Sequence, residues 1–390
     1  MAIGPDERHA LPSTFSRQEM RRRREALARA LREAGVEHVL VYGANRAGSA
    51  VQWLTGWPVT REALVVHSLD ATDVLLVQFF NHVPQARRLA ADADVRWAGP
   101  STMATGLEEL RVRGALRGGP VGVIGALPFR IYESVRAAAG PVVDLTEAYV
   151  RLRLRKSAEE LDRLRRAAEL TDLSCEALQA GAVPGSTEYE LGAMVEGSYL
   201  PRGGTNHIHY FSVTSMATPH QCVPAQWPSG RRVAAGDVLS TELSTSYGVD
   251  YPGQLLRTFT VGAEPTPLYR ELHEVADEAL HRIESLLAPG VTPAEVVDAA
   301  GVIEDAGFTT VDDLVHGLGG GYLPPILGSR SRTLEPLPRI TFAEGMTVVV
   351  QPNVTTTDGR AGVQTGELLH ITAGGCERLH DFPRGLGRIG

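Results

Sequence analysis

The stretch from Gly236 to Gly262, GDVLSTELSTSYGVDYPGQLLRTFTVG, places the strongest constraint on how this chain can fold. Two segments, Val238–Ser244 and Leu255–Val261, alternate β-branched or apolar residues with polar ones, and a polar region rich in glycine separates them. This pattern predicts a β-hairpin with one buried face. Glu242 and Gln254 place a carboxylate and an amide on opposite arms, which is typical of the wall of a binding site.

The composition is that of an ordinary enzyme-sized protein. The chain has 390 residues, which is more than one hydrophobic core normally serves and predicts two domains. The net charge of −8 argues against a nucleic-acid partner. No apolar run reaches the roughly 18–20 residues of a membrane span, and the N-terminus has no apolar signal segment. Three widely spaced cysteines predict neither disulfides nor a CxxC metal site. These features predict a cytoplasmic protein.

An amphipathic helix and a series of short apolar segments predict a small α/β domain over residues 1–150. Ser16 and Glu19 form a capping-box pattern at the start of the helix. Arginines 21–24 lie among glutamates, which favours a solvated helix face over a nucleic-acid patch. The domain has no glycine-rich phosphate-binding motif, so nothing in it predicts nucleotide binding.

Residues 151–390 are predicted to form a second domain built from two similar halves. The segments PGSTEYEL at Pro184–Leu191 and PGVTPAEV at Pro289–Val296 each place a threonine ahead of an acidic residue at a helix start. The two segments lie about 105 residues apart, which is far longer than a solenoid repeat. They therefore predict two αα-ββ halves around a shared sheet, with a cleft on the pseudo-two-fold axis.

Six segments, in the expected order, resemble those of the creatinase, prolidase and methionine-aminopeptidase superfamily. They are WLTGW (Trp53–Trp57), LRLRKSAEELDRLRRAA (Leu152–Ala168), TPHQCVP (Thr218–Pro224), the hairpin, VHGLG (Val315–Gly319) and GMTVVVQPNV (Gly345–Val354). The resemblance is to the two-domain creatinase/prolidase branch. It implies a small N-terminal creatinase-like α/β domain, followed by a catalytic α+β domain with the pita-bread fold.

The resemblance also indicates which positions hold two metal ions in the metallopeptidases of this superfamily. Those positions carry Glu242, Gln254, His316, Gln351 and Gly366 in this chain. A bridged metal pair needs several anionic ligands, whereas glutamine is neutral and glycine has no side chain. Glu367 cannot replace Gly366 if the segment is a strand, because a one-residue shift turns the side chain to the other face. The sequence therefore predicts no metal and no other cofactor.

Creatinase is the metal-free precedent in this fold, and it implies a different chemistry. It hydrolyses a C–N bond with a histidine at the position of His220 as its acid/base. An imidazole with a pKa near its ordinary value of roughly 6.5 can carry protons without a metal. His316 and Glu242 are predicted to assist. Creatine itself is not the expected substrate, because Leu256 stands where creatinase has a substrate-binding glutamate.

Several side chains are candidates for binding a small, polar, carboxylate-bearing substrate. Gln254 and Gln351 offer neutral amides, and Tyr251 lies close to the hairpin motif. Arginine suits a carboxylate clamp, and creatinase-like dimers imply that the N-terminal domain lends residues to the partner subunit's site. The further candidates are Trp57 and Arg61 in the first domain and Arg330 and Arg332 in the second.

The main hypothesis is a metal-independent, creatinase-like hydrolase that cleaves a C–N bond in a small molecule. It is predicted to act as a homodimer and to bind neither nucleic acid nor membrane. Three alternatives stay open: a lyase or isomerase that uses the same histidines, a non-catalytic binding protein, and a metal-dependent Xaa-Pro dipeptidase or aminopeptidase. The sequence does not name the substrate or its leaving group.

Overall fold

The computed structural model describes residues 14–45, 48–332 and 336–390. The chain divides into two compact units, Met1–Arg153 and Leu154–Gly390. Each unit has hydrophobic clusters of its own. Within the described ranges, no helix combines the length and the apolar character needed to cross a bilayer.

The first unit is a mixed six-stranded sheet flanked by helices. Its strands are β1 (His38–Ala44), β2 (Glu62–Ser68), β3 (Ala71–Val77), β4 (Asp94–Trp97), β5 (Val121–Ile124) and β6 (Val142–Asp144). Its helices are α1 (Arg17–Glu33), α2 (Ala50–Thr55), α3 (Val83–Leu89), α4 (Thr102–Val112), α5 (Phe129–Ala139) and α6 (Thr146–Leu152). The strands lie in the order β4-β3-β2-β1-β5-β6. Val39 and Leu40 belong to different hydrophobic clusters, so both faces of the sheet are covered.

Helix α1 begins at the predicted cap but does not present all its arginines to solvent. Ser16 accepts a hydrogen bond from the Glu19 N–H at 3.1 Å, as the capping pattern predicts. Arg23 is only 1% exposed, and its Nε lies 2.6 Å from a Glu19 carboxylate oxygen. Its guanidinium also stacks on Phe15, 3.9 Å from the ring centroid. The predicted solvated face is therefore wrong for Arg23, whose buried charge has a carboxylate partner.

The second unit is built around a nine-stranded sheet. Its helices are α7 (Ala158–Gly181), α8 (Glu188–Tyr199), α9 (Pro267–Leu286), α10 (Pro293–Ala299) and α11 (Val302–Asp305). The strands of its first half are β7 (Thr205–Ser215), β8 (Asp237–Ser246) and β9 (Pro252–Val261). The later strands are β10 (Thr309–Thr310), β11 (Val315–Leu318), β12 (Tyr322–Leu327), β13 (Thr347–Val350), β14 (Val354–Thr355), β15 (Gly366–Thr372), β16 (Gly375–Arg378) and β17 (Gly387–Ile389).

The order of strands in this sheet reflects the two halves predicted from the repeat. The main path runs β12-β11-β13-β15-β9-β8-β7, and β9 and β15 pair antiparallel where the halves meet. Helices α8 and α10 begin at equivalent capping boxes, in which Thr187 pairs with Glu190 and Thr292 with Glu295. The predicted hairpin is confirmed as β8 and β9, with Ser244 opposite Gln254.

Strand β15 buries Glu367 in a cluster of arginines. Glu367 is 0% exposed, and its carboxylate oxygens lie 2.6 Å from Nε of Arg384 and 3.4 Å from Nη2 of Arg257. Arg378 donates to the same carboxylate. Burial alone would raise the pKa of Glu367, but the charge of Arg257 and the hydrogen bonds from Arg384 and Arg378 outweigh it and lower the pKa. The carboxylate stabilises the sheet in its charged form.

Replacing Glu367 by glutamine is expected to destabilise the protein by roughly 3–5 kcal/mol, because it leaves buried arginine charge unpaired. Urea unfolding at neutral pH measures this loss. The difference in unfolding free energy between the wild type and the variant should be complete at pH values above 4.5, the ordinary pKa of the group. It should decline as the pH falls below that value. Glu377→Gln, at an exposed position on β16, is the control and should cost less than about 1 kcal/mol. Equal stability of the two variants would contradict this account.

Candidate active site

The second unit contains a cavity of about 280 Å³ at the predicted hairpin. Strands β7, β8, β9, β11 and β12 contribute to its wall, together with residues that adjoin β11 and β13. Six polar side chains of the lining could take part in chemistry or hold those that do: Glu242, Gln254, Asp312, His316, Tyr322 and Gln351. Four of these six are residues that the sequence predicted for the site, so the fold brings together side chains from distant parts of the chain.

A hydrogen-bonded amide forms the floor of the cavity. Gln254 on β9 uses Nε2 to donate to Glu242 Oε1 on β8 at 3.0 Å, and to Gln351 Oε1 at 3.2 Å. Gln254 and Gln351 are each only 3% exposed. Glu242 lies opposite Leu256, two residues along β8 from the Ser244–Gln254 pair. Side chains two residues apart on a strand point to the same face, so Glu242 and Gln254 share one face of the sheet. The amide group of Gln254 thus ties three strands together.

Two carboxyl groups face this cavity. Burial, with a contribution from the charge of Asp312, raises the pKa of Glu242 to about 8. Burial also raises the pKa of Asp312. Asp312 accepts a hydrogen bond from the Asp313 N–H at 2.8 Å and one from the Asn353 amide at 3.2 Å. At neutral pH, Glu242 is therefore mostly a protonated acid that can donate a hydrogen bond.

His316 is a neutral imidazole in this environment. It is buried on β11, where it pairs with Val349 of β13. Its ring stacks on Tyr322 with centroids 4.1 Å apart, and the Tyr322 hydroxyl donates to Asp313. Burial lowers the pKa of His316 to about 4, even though Nδ1 lies 3.2 Å from the Gly317 carbonyl. At neutral pH this ring can donate and accept a hydrogen bond but carries no charge.

His220 lies on the loop beside the cavity and not among its lining residues. Its side chain is exposed, and Nδ1 lies 2.9 Å from the Thr214 hydroxyl. Val223 and Pro224, further along the same loop, do line the cavity. Because Thr214 engages Nδ1, Nε2 is the ring nitrogen left for a ligand. A catalytic role for His220 stays a prediction.

The other predicted binding residues lie elsewhere in the described chain. Tyr251 is buried and donates its hydroxyl to Glu160 at 2.8 Å, which indicates a structural role. Arg330 lies 3.0 Å from Asp305, and Arg332 donates to the Thr310 carbonyl at 2.9 Å. Neither arginine lines the cavity.

Trp57 and Arg61 belong to the first unit. Trp57 is 3% exposed within a hydrophobic cluster, so its ring is not presented to a ligand or to a partner. Arg61 is exposed, with its guanidinium carbon 5.9 Å from the centroid of the Phe79 ring. A contribution of Arg61 to substrate binding stays a prediction.

Sequence reasoning missed Asp312 and Tyr322. Asp312 precedes the VHGLG segment by a few residues, and Tyr322 follows it at the start of β12. The paired aspartates at 312 and 313 were a signal that could have been used, since adjacent acidic residues beside a glycine-rich loop are suited to a polar site. No periodic pattern distinguishes them from an ordinary acidic turn.

The donor atoms at the cavity do not fit a pair of bridged metal ions. Gln254 Nε2 lies between the oxygens of Glu242 and Gln351, where it donates hydrogen bonds to both. A Cβ on Gly366 would lie 2.5 Å from the Val350 carbonyl oxygen, so no side chain fits there. Glu367 is engaged by arginines on the other face, as strand geometry predicts. Within the described residues there is no group of three or more His, Cys, Asp or Glu suited to a metal.

Gly366→Ala is expected to destabilise the protein by about 1–3 kcal/mol, because its methyl group would overlap the Val350 carbonyl and Gln351. Urea unfolding provides the measurement. The matched control is Gly374→Ala, in the turn after β15, where an added methyl meets nothing within 4 Å. The control should change stability by less than about 0.5 kcal/mol. A variant at 366 that is as stable as this control would show that the position has room for a side chain.

Comparisons with known proteins show what this chain is similar to. The sequence pattern of Metallopeptidase family M24 matches residues 162–373, which is more than half of the chain. The probable dipeptidase PepE of Mycobacterium tuberculosis is 27% identical over 249 residues, which cover 62% of this chain and 62% of that protein. The Xaa-Pro dipeptidase of Pyrococcus furiosus is 25% identical over 275 residues, which cover 68% of this chain and 75% of that protein.

A solved structure shows the same fold. Dipeptidase PepE from Mycobacterium ulcerans superposes with a TM-score of 0.81 at 22% sequence identity, covering 96% of this chain and 99% of that one. This similarity extends through both units and confirms the predicted pita-bread fold with a small N-terminal domain.

The predicted metal-independent, creatinase-like hydrolase is wrong. The matching pattern is that of a metallopeptidase family, and the similar proteins are named as dipeptidases and Xaa-Pro dipeptidases. The motifs that supported the superfamily are shared by creatinases and peptidases, so they could not separate the two. The altered residues at the metal-ligand positions do not by themselves indicate creatinase chemistry.

Proposed function

We propose, from the premise that this chain belongs to metallopeptidase family M24, that it hydrolyses the peptide C–N bond of a dipeptide-sized substrate. The observation that carries this proposal is the cavity of about 280 Å³, which places a protonated carboxyl group beside a neutral imidazole. Its volume is just below the roughly 300–1,000 Å³ typical of small-molecule sites. Such a cavity suits a short peptide better than a protein chain. The names of the dipeptidase relatives support the same substrate class.

Glu242 is the proposed proton donor in this reaction. Gln254 donates to Glu242 Oε1, so the acidic hydrogen belongs on Oε2. Hydrolysis adds a water oxygen to the carbonyl carbon and breaks the C–N bond. Glu242 would give its proton to the departing nitrogen, and a water proton would restore the acid. Neutral His316, fixed by its stack on Tyr322, would hydrogen-bond the substrate without adding charge.

We also propose that His220 takes up one proton from the attacking water through Nε2 and passes it to the released amine, which restores the neutral imidazole. The Thr214 hydroxyl fixes the other ring nitrogen, which supports a defined ring orientation. His220→Asn should therefore lower kcat more than it changes KM for a dipeptide. His281→Asn, an exposed histidine on α9, is the control and should leave both constants unchanged. Wild-type kcat in His220→Asn would remove this role.

The oligomeric state and the cellular location of the protein are also proposed. We propose that the protein is a homodimer, as the family resemblance implied, and that it is cytoplasmic, as the composition predicted. Phe80 is 72% exposed and lies next to Phe79, which packs near Arg61, and this apolar surface favours self-association. Light scattering coupled to size-exclusion chromatography should give a molar mass twice that of one chain.

Glu242→Gln is expected to lower kcat/KM for dipeptides by roughly 10²–10⁴-fold, because it removes the proton donor. The wild-type rate should fall as the pH rises through about 8, where Glu242 loses its proton. The variant should lose this pH dependence. Assays would use Xaa-Pro and other dipeptides, each with and without added Mn²⁺.

The control for this prediction is Glu169→Gln, an exposed position on α7 that should retain the wild-type rate. Two results would contradict the proposed function. One is the absence of dipeptide turnover under both conditions, and the other is full activity in Glu242→Gln.

A further inference from the structure

We propose that a second cavity, within the first unit, binds the phosphate group of a small molecule. The guanidinium groups of Arg24, Arg29 and Arg32 are the proposed contacts. This cavity shares no lining residue with the cavity at the β8–β9 hairpin. The inference goes beyond the proposed function and does not depend on it.

The cavity has a volume of about 460 Å³, which lies within the roughly 300–1,000 Å³ typical of small-molecule sites. Residues of α1 line it together with residues of the antiparallel pair β2–β3, the turn between them and the loop before β4. Ala28 on α1 and Ala71 on β3 contribute only methyl groups to the lining, so they fill little of the space. The cavity is therefore large enough for a phosphate group and the small molecule that carries it.

A partly buried polar network holds Arg24 beside the cavity. His67 and Asp73 are 5% and 4% exposed, and His67 Nδ1 lies 2.6 Å from Asp73 Oδ1. The other oxygen of Asp73 accepts a hydrogen bond from Arg24 Nε at 3.2 Å, and Asp92 accepts one from Arg24 Nη1 at 3.2 Å. Burying such groups costs free energy unless they are paired, and the pairing fixes the direction of the Arg24 guanidinium. Both aspartates are occupied by these donors, whereas Arg24 Nη2 has no hydrogen bond in the described chain.

Two further arginines of the lining have no partner among the described residues. Arg29 and Arg32 are exposed and lie three residues apart on α1, so they are neighbours on the helix surface. Neither guanidinium group forms a hydrogen bond or an ion pair within the described ranges, and Glu25, which also lines the cavity, pairs with neither. Like charges at this spacing repel each other. An anion bound between the two side chains would relieve that repulsion.

The arginines match the charge and the acceptor atoms of a phosphate group. Arginine binds phosphate through a planar fork of N–H donors, which can contact two oxygens at once. A phosphate monoester carries a charge of about −1.5 to −2 at neutral pH and has three strong acceptor oxygens. A carboxylate has a single negative charge and only two oxygens. Three guanidinium groups at one cavity therefore favour a phosphate group over a carboxylate.

The test is direct binding of two small probes, glycerol 1-phosphate and glycerate, measured by calorimetry at pH 7.5 and low ionic strength. The first probe carries a phosphate group, and the second carries a carboxylate. The wild-type protein should bind glycerol 1-phosphate at one site per chain and about 10- to 100-fold more tightly than glycerate, because phosphate forms additional charge-assisted hydrogen bonds. Equal affinity for the two probes, or no binding of glycerol 1-phosphate, would overturn the inference.

Substitutions on α1 test whether the phosphate group binds in this cavity. Arg29→Gln and Arg32→Gln should each weaken glycerol 1-phosphate binding by about 10-fold or more. Arg21→Gln is the matched control, since Arg21 is an exposed arginine of the same helix that does not line the cavity. The control should bind the probe like the wild type. Wild-type affinity in either Arg29→Gln or Arg32→Gln would overturn the proposed site.

A variant of the other cavity separates this site from the proposed active site. Glu242→Gln should bind glycerol 1-phosphate like the wild type, because the two cavities share no lining residue. Loss of binding in that variant would place the phosphate group at the β8–β9 hairpin and refute the inference. Binding of the probe by a protein that hydrolyses no dipeptide would refute the proposed function and retain the phosphate site. Dipeptide hydrolysis by a protein that does not bind the probe would do the reverse.

Discussion

The hydrogen bonds of the Gln254 amide determine what the cavity of this protein can do. Gln254 Nε2 donates to an oxygen of Glu242 and an oxygen of Gln351, so one buried side chain joins β8, β9 and the end of β13. A neutral donor in this place leaves Glu242 without a nearby cation. Together with burial and Asp312, this explains why Glu242 keeps its proton near neutral pH. The amide therefore defines both the shape of the floor and the chemical state of the acid.

The alternation of side chains along β15 sets a second limit on the site. Gly366 faces the Val350–Gln351 segment with no room for a Cβ, whereas Glu367 points to the opposite face. Its buried carboxylate binds Arg257 and Arg384 near the middle of the sheet, where β15 pairs with β9. Because neighbouring strand residues face opposite sides, Glu367 cannot serve the fold and the cavity at once. The chemistry at the cavity therefore has to come from β8, β9, β11 and the loops.

Much of the fold could be predicted because it follows from local patterns. The alternation around Glu242 specified the hairpin, and the threonine caps specified equivalent helices in both halves. Glu242, Gln254, His316 and Gln351 could be assigned to one site from motif positions. Asp312 could not, since only the tertiary fold brings this acidic turn to the cavity. Arg23 was misplaced because sequence periodicity does not show which charges acquire a buried partner. The predicted function was wrong because altered residues at the metal-ligand positions cannot, by themselves, distinguish creatinase chemistry from peptidase chemistry.

The central claim is that this cavity holds a short peptide with its C–N bond at Glu242. A crystal structure with a non-hydrolysable dipeptide analogue tests it most directly. The nitrogen that replaces the scissile amide should lie next to Glu242 Oε2. An analogue bound outside this cavity, or with this nitrogen away from Glu242, would contradict the account.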